Sequence, residues 1–211
     1  KVLELAVQYQ TLVVEDDPYG DLYFDAAPPP SLLALSAQVP GSRALLAHCG
    51  SLSKVLSPGL RVGWMIAPAE LLARATMCKQ FSDAHTSTFA QATAAQYLKA
   101  GRMPGTLAHV REVYAERARA MGDALRTELG DAISFTQPGG GLFFWARLTG
   151  AGGKVQDGNE LAKRAIEKGV AFVPGTPFFA SQPDHATLRL SFATADVAKI
   201  REGVARLGQA L

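Results

Sequence analysis

A lysine that follows a short apolar run is the residue whose position most directly suggests chemistry. Lys54 ends the sequence Gly-Ser-Leu-Ser-Lys at residues 50–54, shortly after the mostly apolar residues 44–48. A lysine amine in a partly buried site can attack an aldehyde once the amine has lost its proton. Most lysines instead lie solvated on the protein surface, so Lys54 by itself allows both interpretations.

Hydroxyl groups and an arginine lie close to this lysine in the sequence. Ser51 and Ser53 precede Lys54, and Arg61 follows it by seven residues. Two hydroxyls, the backbone N–H groups of a loop and one guanidinium can together hold a phosphate group. A serine-rich turn followed by an arginine at a strand edge would have the same sequence, so the loop alone allows both interpretations.

A carboxylate and a phenol follow another apolar run. Asp16 and Tyr19 come directly after Leu12-Val13-Val14 and lie three residues apart. A buried carboxylate there could keep a pyridine nitrogen protonated, and a phenol could hydrogen-bond a ring oxygen. A carboxylate that caps a turn is the alternative. For Glu15 and Asp17 we predict this structural role, because turns favour side chains that bond the nearby backbone.

These side chains can act together only if the strands before them end at one edge of a sheet. In open α/β sheets, ligands bind beyond the carboxyl ends of the strands. We expect the strands to be buried on both faces. The predicted strands of this first part cover residues 12–14, 44–48 and 61–67, the predicted helices cover residues 1–10, 69–81 and 87–99, and residues 26–35 form a proline-rich loop.

The second part of the chain has a different pattern. Apolar residues recur every three or four positions from Leu107 to Leu129, which predicts a long helix that Gly130 ends. This helix would connect the first sheet to a smaller α+β unit. The predicted strands of that unit cover residues 133–136, 142–148, 171–173 and 187–192, and its predicted helices cover residues 159–168 and 195–207.

Composition excludes several classes of protein. The chain has 211 residues, of which 48% are hydrophobic, and a formal net charge of +2. This balance argues against disorder and against a nucleic-acid-binding surface. No apolar run approaches the ~20 residues that a membrane-spanning helix needs. Cys49 and Cys78 are too few for a disulfide scaffold and have no metal-ligand spacing, so we expect two free thiols in the cytoplasm.

Together these motifs resemble the fold-type I enzymes that use pyridoxal phosphate. Asp-x-x-Tyr follows one strand, and Ser-x-Ser-Lys with an arginine seven residues later follows another. The runs at residues 15–20 and 50–64 are similar to the class I/II aminotransferases, and in particular to the 2-aminoadipate and multi-substrate subgroup. The runs at residues 137–145, 173–178 and 188–193 follow that subgroup in the same order.

The resemblance implies roles for the residues nearest the cofactor ring. Lys54 would form a Schiff base with pyridoxal 5′-phosphate and later carry the proton between the substrate Cα and the cofactor's C4′. Asp16 would pair with the pyridinium nitrogen, which keeps the ring able to accept electrons. Tyr19 would hydrogen-bond the 3′-oxygen of the ring.

The resemblance also implies which residues hold the two anionic groups. Ser51, Ser53 and Arg61 would hold the cofactor phosphate. Arg189 would bind the substrate α-carboxylate in a bidentate manner, a geometry that lysine cannot match. An ordinary strand arginine is the alternative, but the family motif coincides with Arg189 and its neighbours are apolar.

The fold expected from the resemblance is α/β, of the pyridoxal-phosphate transferase fold type I. Residues 1–106 would be the C-terminal part of the large, mostly parallel-sheet domain. Residues 107–129 would be the connecting helix, and residues 130–211 the small α+β domain. We expect a homodimer that transfers an amino group between an amino acid and a 2-oxo acid, with neither nucleic acid nor membrane as a partner.

Family members are about twice as long as this chain. The sequence therefore resembles a C-terminal half, without the ring-stacking aromatic residue and the glycine-rich phosphate site of the first half. We expect this fragment alone to be inactive. Two alternatives are the effector domain of a GntR-type transcription regulator and an inactive fragment that folds as a binding module.

Overall fold

The computed structural model describes residues 1–153 and 156–211, which form two compact units, Lys1–Val110 and Arg111–Leu211. The helices are α1 (Val2–Tyr9), α2 (Leu32–Leu35), α3 (Ala69–Asp83), α4 (Thr88–Lys99), α5 (Met103–Leu129), α6 (Gly158–Glu167) and α7 (Val197–Ala210). The strands are β1 (Val13–Asp16), β2 (Leu46–Ser51), β3 (Gly63–Ile66), β4 (Ile133–Phe135), β5 (Phe143–Leu148), β6 (Val173–Pro174) and β7 (Thr187–Ser191). None of the helices over these described residues combines the length and apolar character of a membrane span.

The first unit contains a mixed sheet of strand order β1-β2-β3. Strands β1 and β2 are parallel, whereas β3 runs antiparallel to β2. Of the two strand pairs described in this sheet, one is parallel and one is antiparallel. A parallel connection needs a crossover, usually through a helix, and the loop from β2 to β3 contains only a short 3₁₀ turn, Pro58–Leu60.

Burial differs among these three strands. Leu46 and Ala47 of the central strand β2 are fully buried. Val14 of β1 is 60% exposed, and every residue of β3 is exposed, including Trp64 at 46%. The prediction that all three strands are buried on both faces is wrong for β1 and β3, whose residues are half-buried or exposed.

The proline-rich segment contains a helix that the sequence pattern did not indicate. Residues 32–35 form α2, where the prediction was a loop. Ser31 is the N-cap, and its Oγ accepts a hydrogen bond of 3.1 Å from the Ala34 N–H. The sequence pattern did not predict this short helix, because consecutive prolines such as those at 28–30 favour an extended loop.

The second unit is an antiparallel sheet of order β4-β5-β7-β6 with two capped amphipathic helices. Every second side chain along β5 is buried. Phe144 is one of these, and its ring packs edge-to-face on that of Phe192, with 5.9 Å between the ring centroids. Helix α5 starts at Met103, four residues before the predicted start. Pro104 lies in its first turn, where proline costs no hydrogen bond.

Candidate active site

The strand directions of the first unit place three chain segments at one edge of its sheet. Parallel strands β1 and β2 both end there, and antiparallel β3 begins there. Asp16 ends β1 opposite Cys49, and Ser51 ends β2 opposite Gly63. All six candidate residues of this unit lie in these strand ends or in the adjoining loops, so the topology brings them to the same edge.

The turn that carries Lys54 is held by two buried side chains. Leu52 and Val55 are each 4% exposed. The Leu56 N–H and the Ser57 N–H donate to the Leu52 carbonyl at 2.9 and 3.0 Å. Lys54 is half-buried in this turn and makes no ion pair with any residue that the structure describes.

The two serine hydroxyls of the loop contact each other. Ser51 Oγ donates to Ser53 Oγ at 2.9 Å and accepts from the Ser53 backbone N–H at 3.0 Å. The Ser53 hydroxyl proton therefore remains available to an acceptor outside the pair. Both residues are half-buried, which suits a small polar cradle.

Arg61 has an uncommon backbone conformation. Its φ of 54° lies in the left-handed region, where residues other than glycine are rare. The side chain is exposed, and Nη1 donates to the Pro58 carbonyl at 3.3 Å. Among residues 1–153 and 156–211 no carboxylate pairs with this guanidinium, so its charge is available to an anion.

The two adjacent aspartates differ in their contacts. Asp17 Oδ1 accepts a hydrogen bond of 2.7 Å from the Gly20 N–H, which confirms its predicted role in the turn. Asp16 is exposed, and no hydrogen bond or ion pair to its side chain occurs within the described residues. Burial, together with the Asp16 charge, raises the pKa of the Cys49 thiol.

Glu15 has a structural role, but its partners are not in the local turn. Its carboxylate accepts hydrogen bonds from the N–H groups of Leu32 and Leu33, at 2.6 and 3.2 Å, and so caps α2. His48 Nδ1 lies 2.8 Å from Glu15 Oε2, and it must donate because a carboxylate can only accept. Burial raises the pKa of Glu15, but the Leu32, His48 and Leu33 contacts outweigh burial and hold that pKa below its ordinary value.

Sequence reasoning missed His48 because nothing near it in the sequence marks it as a partner. Glu15 and His48 face each other only because β1 and β2 are paired in parallel register. An alignment of the two predicted strands, with their apolar residues side by side, is the signal that could have found this pair.

A cavity of about 630 Å³ opens beside this sheet edge. Asp16 and Ser51 are the candidate residues that line it, whereas Tyr19, Ser53, Lys54 and Arg61 do not. Its wall also includes Glu15, His48, Trp64 and residues 28–30. The Trp64 ring covers Gly50 so closely that a Cβ there would lie 2.3 Å from a ring carbon, so this position requires glycine.

Tyr19 lies in the loop after β1, and its side chain is 37% exposed. The Leu22 N–H donates to the Tyr19 carbonyl at 2.8 Å, and Leu22 itself is buried. This anchored turn holds the phenol near the end of the strand that carries Asp16.

Arg189 belongs to the second unit and lies on the outward face of its sheet. Leu188 and Leu190 are buried on the other face, because side chains alternate along β7. The Arg189 Cζ lies 4.3 Å from the ring centroid of Phe143 and 4.8 Å from that of Phe178. The apolar neighbours in the sequence are therefore core residues, and the arginine itself contacts aromatic rings.

Comparison with known proteins shows similarity along the whole chain. The sequence model of the family "Aminotransferase class I and II" matches residues 1–207. The chain is 44% identical to the 2-aminoadipate transaminase of Thermus thermophilus, covering all of the chain and 51% of that protein. It is 35% identical to aromatic-amino-acid aminotransferase 1 of Thermococcus litoralis, again over all of the chain and 48% of that protein.

A solved structure agrees in fold. The crystal structure of LysN, the alpha-aminoadipate aminotransferase of Thermus thermophilus complexed with N-(5′-phosphopyridoxyl)-L-leucine, superposes with a TM-score of 0.91 at 42% identity. The match covers 100% of this chain and 52% of that one. The chain thus spans about half the length of the relatives that it matches.

Transcription regulators also occur among the relatives. The chain is 33% identical to the HTH-type transcriptional regulator TauR of Rhodobacter capsulatus, over 95% of the chain and 40% of that protein.

Proposed function

The chain belongs to the class I and II aminotransferases, and from this membership we propose that its protein transfers an α-amino group between an amino acid and a 2-oxo acid, with pyridoxal 5′-phosphate as cofactor. Fold type I is the fold of this family, and the chain has it. The proposal concerns the whole protein, since this chain spans about half the length of its relatives.

One observation supports the proposal above the others. Asp16, Lys54 and Arg61 lie at one sheet edge, and none of them has an ion-pair partner within the described residues. Three charged groups that lack an ion-pair partner in the described part of the chain thus share this sheet edge with the hydroxyl pair of Ser51 and Ser53. Together these groups fit a ligand that presents a basic ring nitrogen, an aldehyde and a phosphate.

The cofactor, when bound, supplies an aldehyde that takes up the amino group and a protonated pyridine ring that draws electrons from the substrate Cα. In the proposed assignment, the Lys54 amine would hold the cofactor at its aldehyde carbon, with release of water. Once the substrate amine had displaced it, the free Lys54 amine would move the proton at Cα. Asp16 keeps the ring nitrogen protonated through its negative charge. Tyr19 donates its hydroxyl proton to the 3′-oxygen.

The remaining assignments concern the two anions. Ser53 would donate its available hydroxyl proton to the phosphate, and Ser51 would donate to it by turning its hydroxyl away from Ser53 Oγ. Arg61 would neutralise the charge of the phosphate. Arg189 binds the α-carboxylate of the substrate with two parallel N–H donors, which orients Cα for proton removal.

The larger architecture is part of the same proposal. Residues 1–106 form the C-terminal part of the large domain, residues 107–129 the connecting helix, and residues 130–211 the small domain. A homodimer is supported by the exposed apolar side chains Phe81 and Phe89, which are 84% and 81% exposed. A cytoplasmic location is supported by the free thiols of Cys49 and Cys78.

A half-reaction with the full-length protein tests the proposal. The protein is loaded with pyridoxal phosphate and mixed with L-2-aminoadipate or L-phenylalanine, without an acceptor. We expect the absorbance of the aldehyde form to be replaced by that of the amine form, and to return when 2-oxoglutarate is added. Absence of any spectral change with a broad panel of amino acids would contradict transamination.

The similarity to TauR supports a second candidate, an effector domain of a GntR-type regulator. That protein would bind pyridoxal phosphate through Lys54 without turnover, and a DNA-binding domain would precede this chain. The half-reaction separates the two candidates, because a regulator binds the cofactor but does not regenerate it with a 2-oxo acid. An inactive fragment would show neither response.

A further inference from the structure

The guanidinium of Arg189 rests on aromatic rings. Its Cζ lies 4.3 Å from the centroid of Phe143 and 4.8 Å from that of Phe178. Within residues 1–153 and 156–211 the Arg189 side chain has neither an ion pair nor a hydrogen bond. Its charge is therefore not neutralised by any described group, although the residue is half-buried.

Strand register places the first ring. Arg189 faces Trp145 across the β5–β7 pair, and Phe143 faces Ser191. Phe143 is thus the diagonal neighbour of Arg189 on the outward face, at a separation that an aromatic side chain can bridge. Phe144, one residue later, is fully buried on the opposite face.

Close backbone packing places the second ring. The Gly175 N–H donates to the Thr187 carbonyl at 2.7 Å, and a Cβ on Gly175 would lie 2.0 Å from Thr187 Oγ1. The 3₁₀ turn that follows ends at Phe178, whose N–H donates to the Gly175 carbonyl at 3.0 Å. Trp145 meets the Phe178 ring edge-to-face at 5.6 Å between centroids.

From this geometry we propose that Phe143 and Phe178 are positioning residues that hold the plane of the Arg189 guanidinium for the substrate α-carboxylate. The inference rests on the proposed role of Arg189. The two rings lie close to the guanidinium carbon and offer no oxygen acceptor to its N–H groups, so these donors stay available for bidentate binding. The rings also restrict the side chain before the substrate arrives, which reduces the ordering cost of binding.

The test uses the full-length protein loaded with pyridoxal phosphate, with the better substrate of L-2-aminoadipate and L-phenylalanine. Phe143→Leu and Phe178→Leu keep an apolar side chain but remove the ring. We expect each to raise KM by roughly three- to tenfold, the scale of a cation–π contact. We expect kcat to stay within about twofold, because the contact acts on binding.

A second readout does not depend on turnover. Benzoate is a carboxylate that cannot be transaminated, and its Kd can be measured by calorimetry. We expect the Kd of benzoate to rise in the two leucine variants by the same factor as KM, and to return to the wild-type value in Phe143→Tyr and Phe178→Tyr, which restore the ring. Phe179→Leu is the matched control, since Phe179 contacts Trp145 at 6.2 Å between centroids and no contact joins it to Arg189.

Three results would overturn the proposal. The first is unchanged benzoate binding in Phe143→Leu and Phe178→Leu while Arg189→Lys weakens it, which leaves the role of Arg189 intact but removes that of the rings. The second is equal weakening in Phe178→Leu and Phe179→Leu, which indicates a general packing effect. The third is unchanged binding in Arg189→Lys, which refutes the proposed carboxylate site as well.

Discussion

At the scale of single residues, Lys54 combines a half-buried position with an amine that no described carboxylate neutralises. Leu52 and Val55, both buried, fix the turn on either side of it. A side chain held in this way can meet the same atom in each catalytic cycle, which a mobile surface lysine cannot do.

We predict that Lys54→Ala abolishes the covalent attachment of pyridoxal phosphate. In the wild-type full-length protein, borohydride reduction should leave a phosphopyridoxyl group on the peptide that contains Lys54, detectable by mass spectrometry. Turnover should fall by roughly 10²–10⁴-fold, the contribution typical of a positioned acid–base group. Lys99→Ala, at the end of α4, is the control and should keep the adduct. An adduct that survives in Lys54→Ala would remove Lys54 from this role.

The two adjacent aspartates give a matched pair of variants. Asp16→Asn should retain the cofactor but slow removal of the Cα proton by roughly two to three orders of magnitude, because the ring nitrogen loses its charged partner. Asp17→Asn should have little effect, since the asparagine oxygen can still accept from the Gly20 N–H. Single-turnover kinetics with a Cα-deuterated substrate measures this step. Similar rates for the two variants would show that the assignment of Asp16 is wrong.

The reactivity of the Cys49 thiol tests whether Asp16 is charged, and this test does not depend on catalysis. The pKa of its thiol is raised by burial and by that charge. Asp16→Asn should therefore increase the thiolate fraction at pH 8, and iodoacetamide should alkylate Cys49 roughly two- to threefold faster. The exposed Cys78 serves as an internal control whose rate should not change. An unchanged rate at Cys49 would mean that Asp16 is not ionised beside it.

At the scale of elements, Glu15 connects three of them. From β1 its carboxylate accepts from the first turn of α2 and from His48 on β2. The strand end that carries Asp16 is thereby fixed to its neighbours. Glu15 and Asp16 are consecutive, and their side chains point to opposite faces because side chains alternate along a strand.

We predict that Glu15→Gln destabilises the protein by about 1–3 kcal/mol at pH 7, since the amide cannot satisfy the same donors. The folded state holds the pKa of Glu15 below its ordinary value of 4.5. The stabilisation is therefore present above that pH and is lost as pH falls through the lower folded-state pKa. In urea unfolding, the difference in stability between wild type and variant should be larger at pH 7 than at pH 3.

A glutamate without these contacts provides the comparison. The side chain of Glu4 is 70% exposed. Glu4→Gln should change stability by no more than about 0.5 kcal/mol at either pH. An equal effect of the Glu15 substitution at pH 7 and pH 3 would show that its charge does not contribute.

At the scale of the whole molecule, the two units differ in their cores. Most of the largest fully buried side chains belong to the second unit, namely Phe144, Phe192, Leu125, Leu148, Leu161, Leu188 and Leu207. In the first unit, the large apolar side chains that are fully buried among the described residues are Leu22 and Leu46, and β3 is exposed along its length. A smaller core leaves less apolar burial to offset the entropy of ordering the chain.

We therefore predict that amide hydrogens of residues 111–211 exchange more slowly than those of the first unit in the isolated 211-residue chain. Hydrogen exchange followed by mass spectrometry measures this for each peptide. Peptides from β5 and β7 should be the most protected and those from β3 among the least. Faster exchange in the second unit than in the first would contradict the burial argument.

We also predict that the isolated 211-residue chain does not catalyse transamination. The resemblance to the family assigns the ring-stacking residue and part of the phosphate site to the other half of the protein. Product formation from L-2-aminoadipate and 2-oxoglutarate should stay at the level of free pyridoxal phosphate, whereas the full-length protein should be active. Steady turnover by the 211 residues, with their intact mass verified, would refute this expectation.

The family, the motifs and most of the helices and strands could be predicted from the amino-acid sequence alone. Local patterns suffice for these, because helix periodicity, strand-forming runs and capping residues act within a few positions of the chain. The helices at residues 69–83 and 88–99 and the strands of the second unit were all predicted, with ends that coincide or differ by one or two residues. The turn role of Asp17 was also predicted correctly, because its partner Gly20 lies three residues away.

The contacts between distant groups follow from the tertiary fold. The antiparallel direction of β3, the contact of Glu15 with His48 and the contact of Arg189 with Phe143 all depend on strand direction and register. A shift of one residue in register would turn each of these side chains to the other face of its sheet. No local pattern specifies that choice, because it follows from how the whole sheet buries its apolar face.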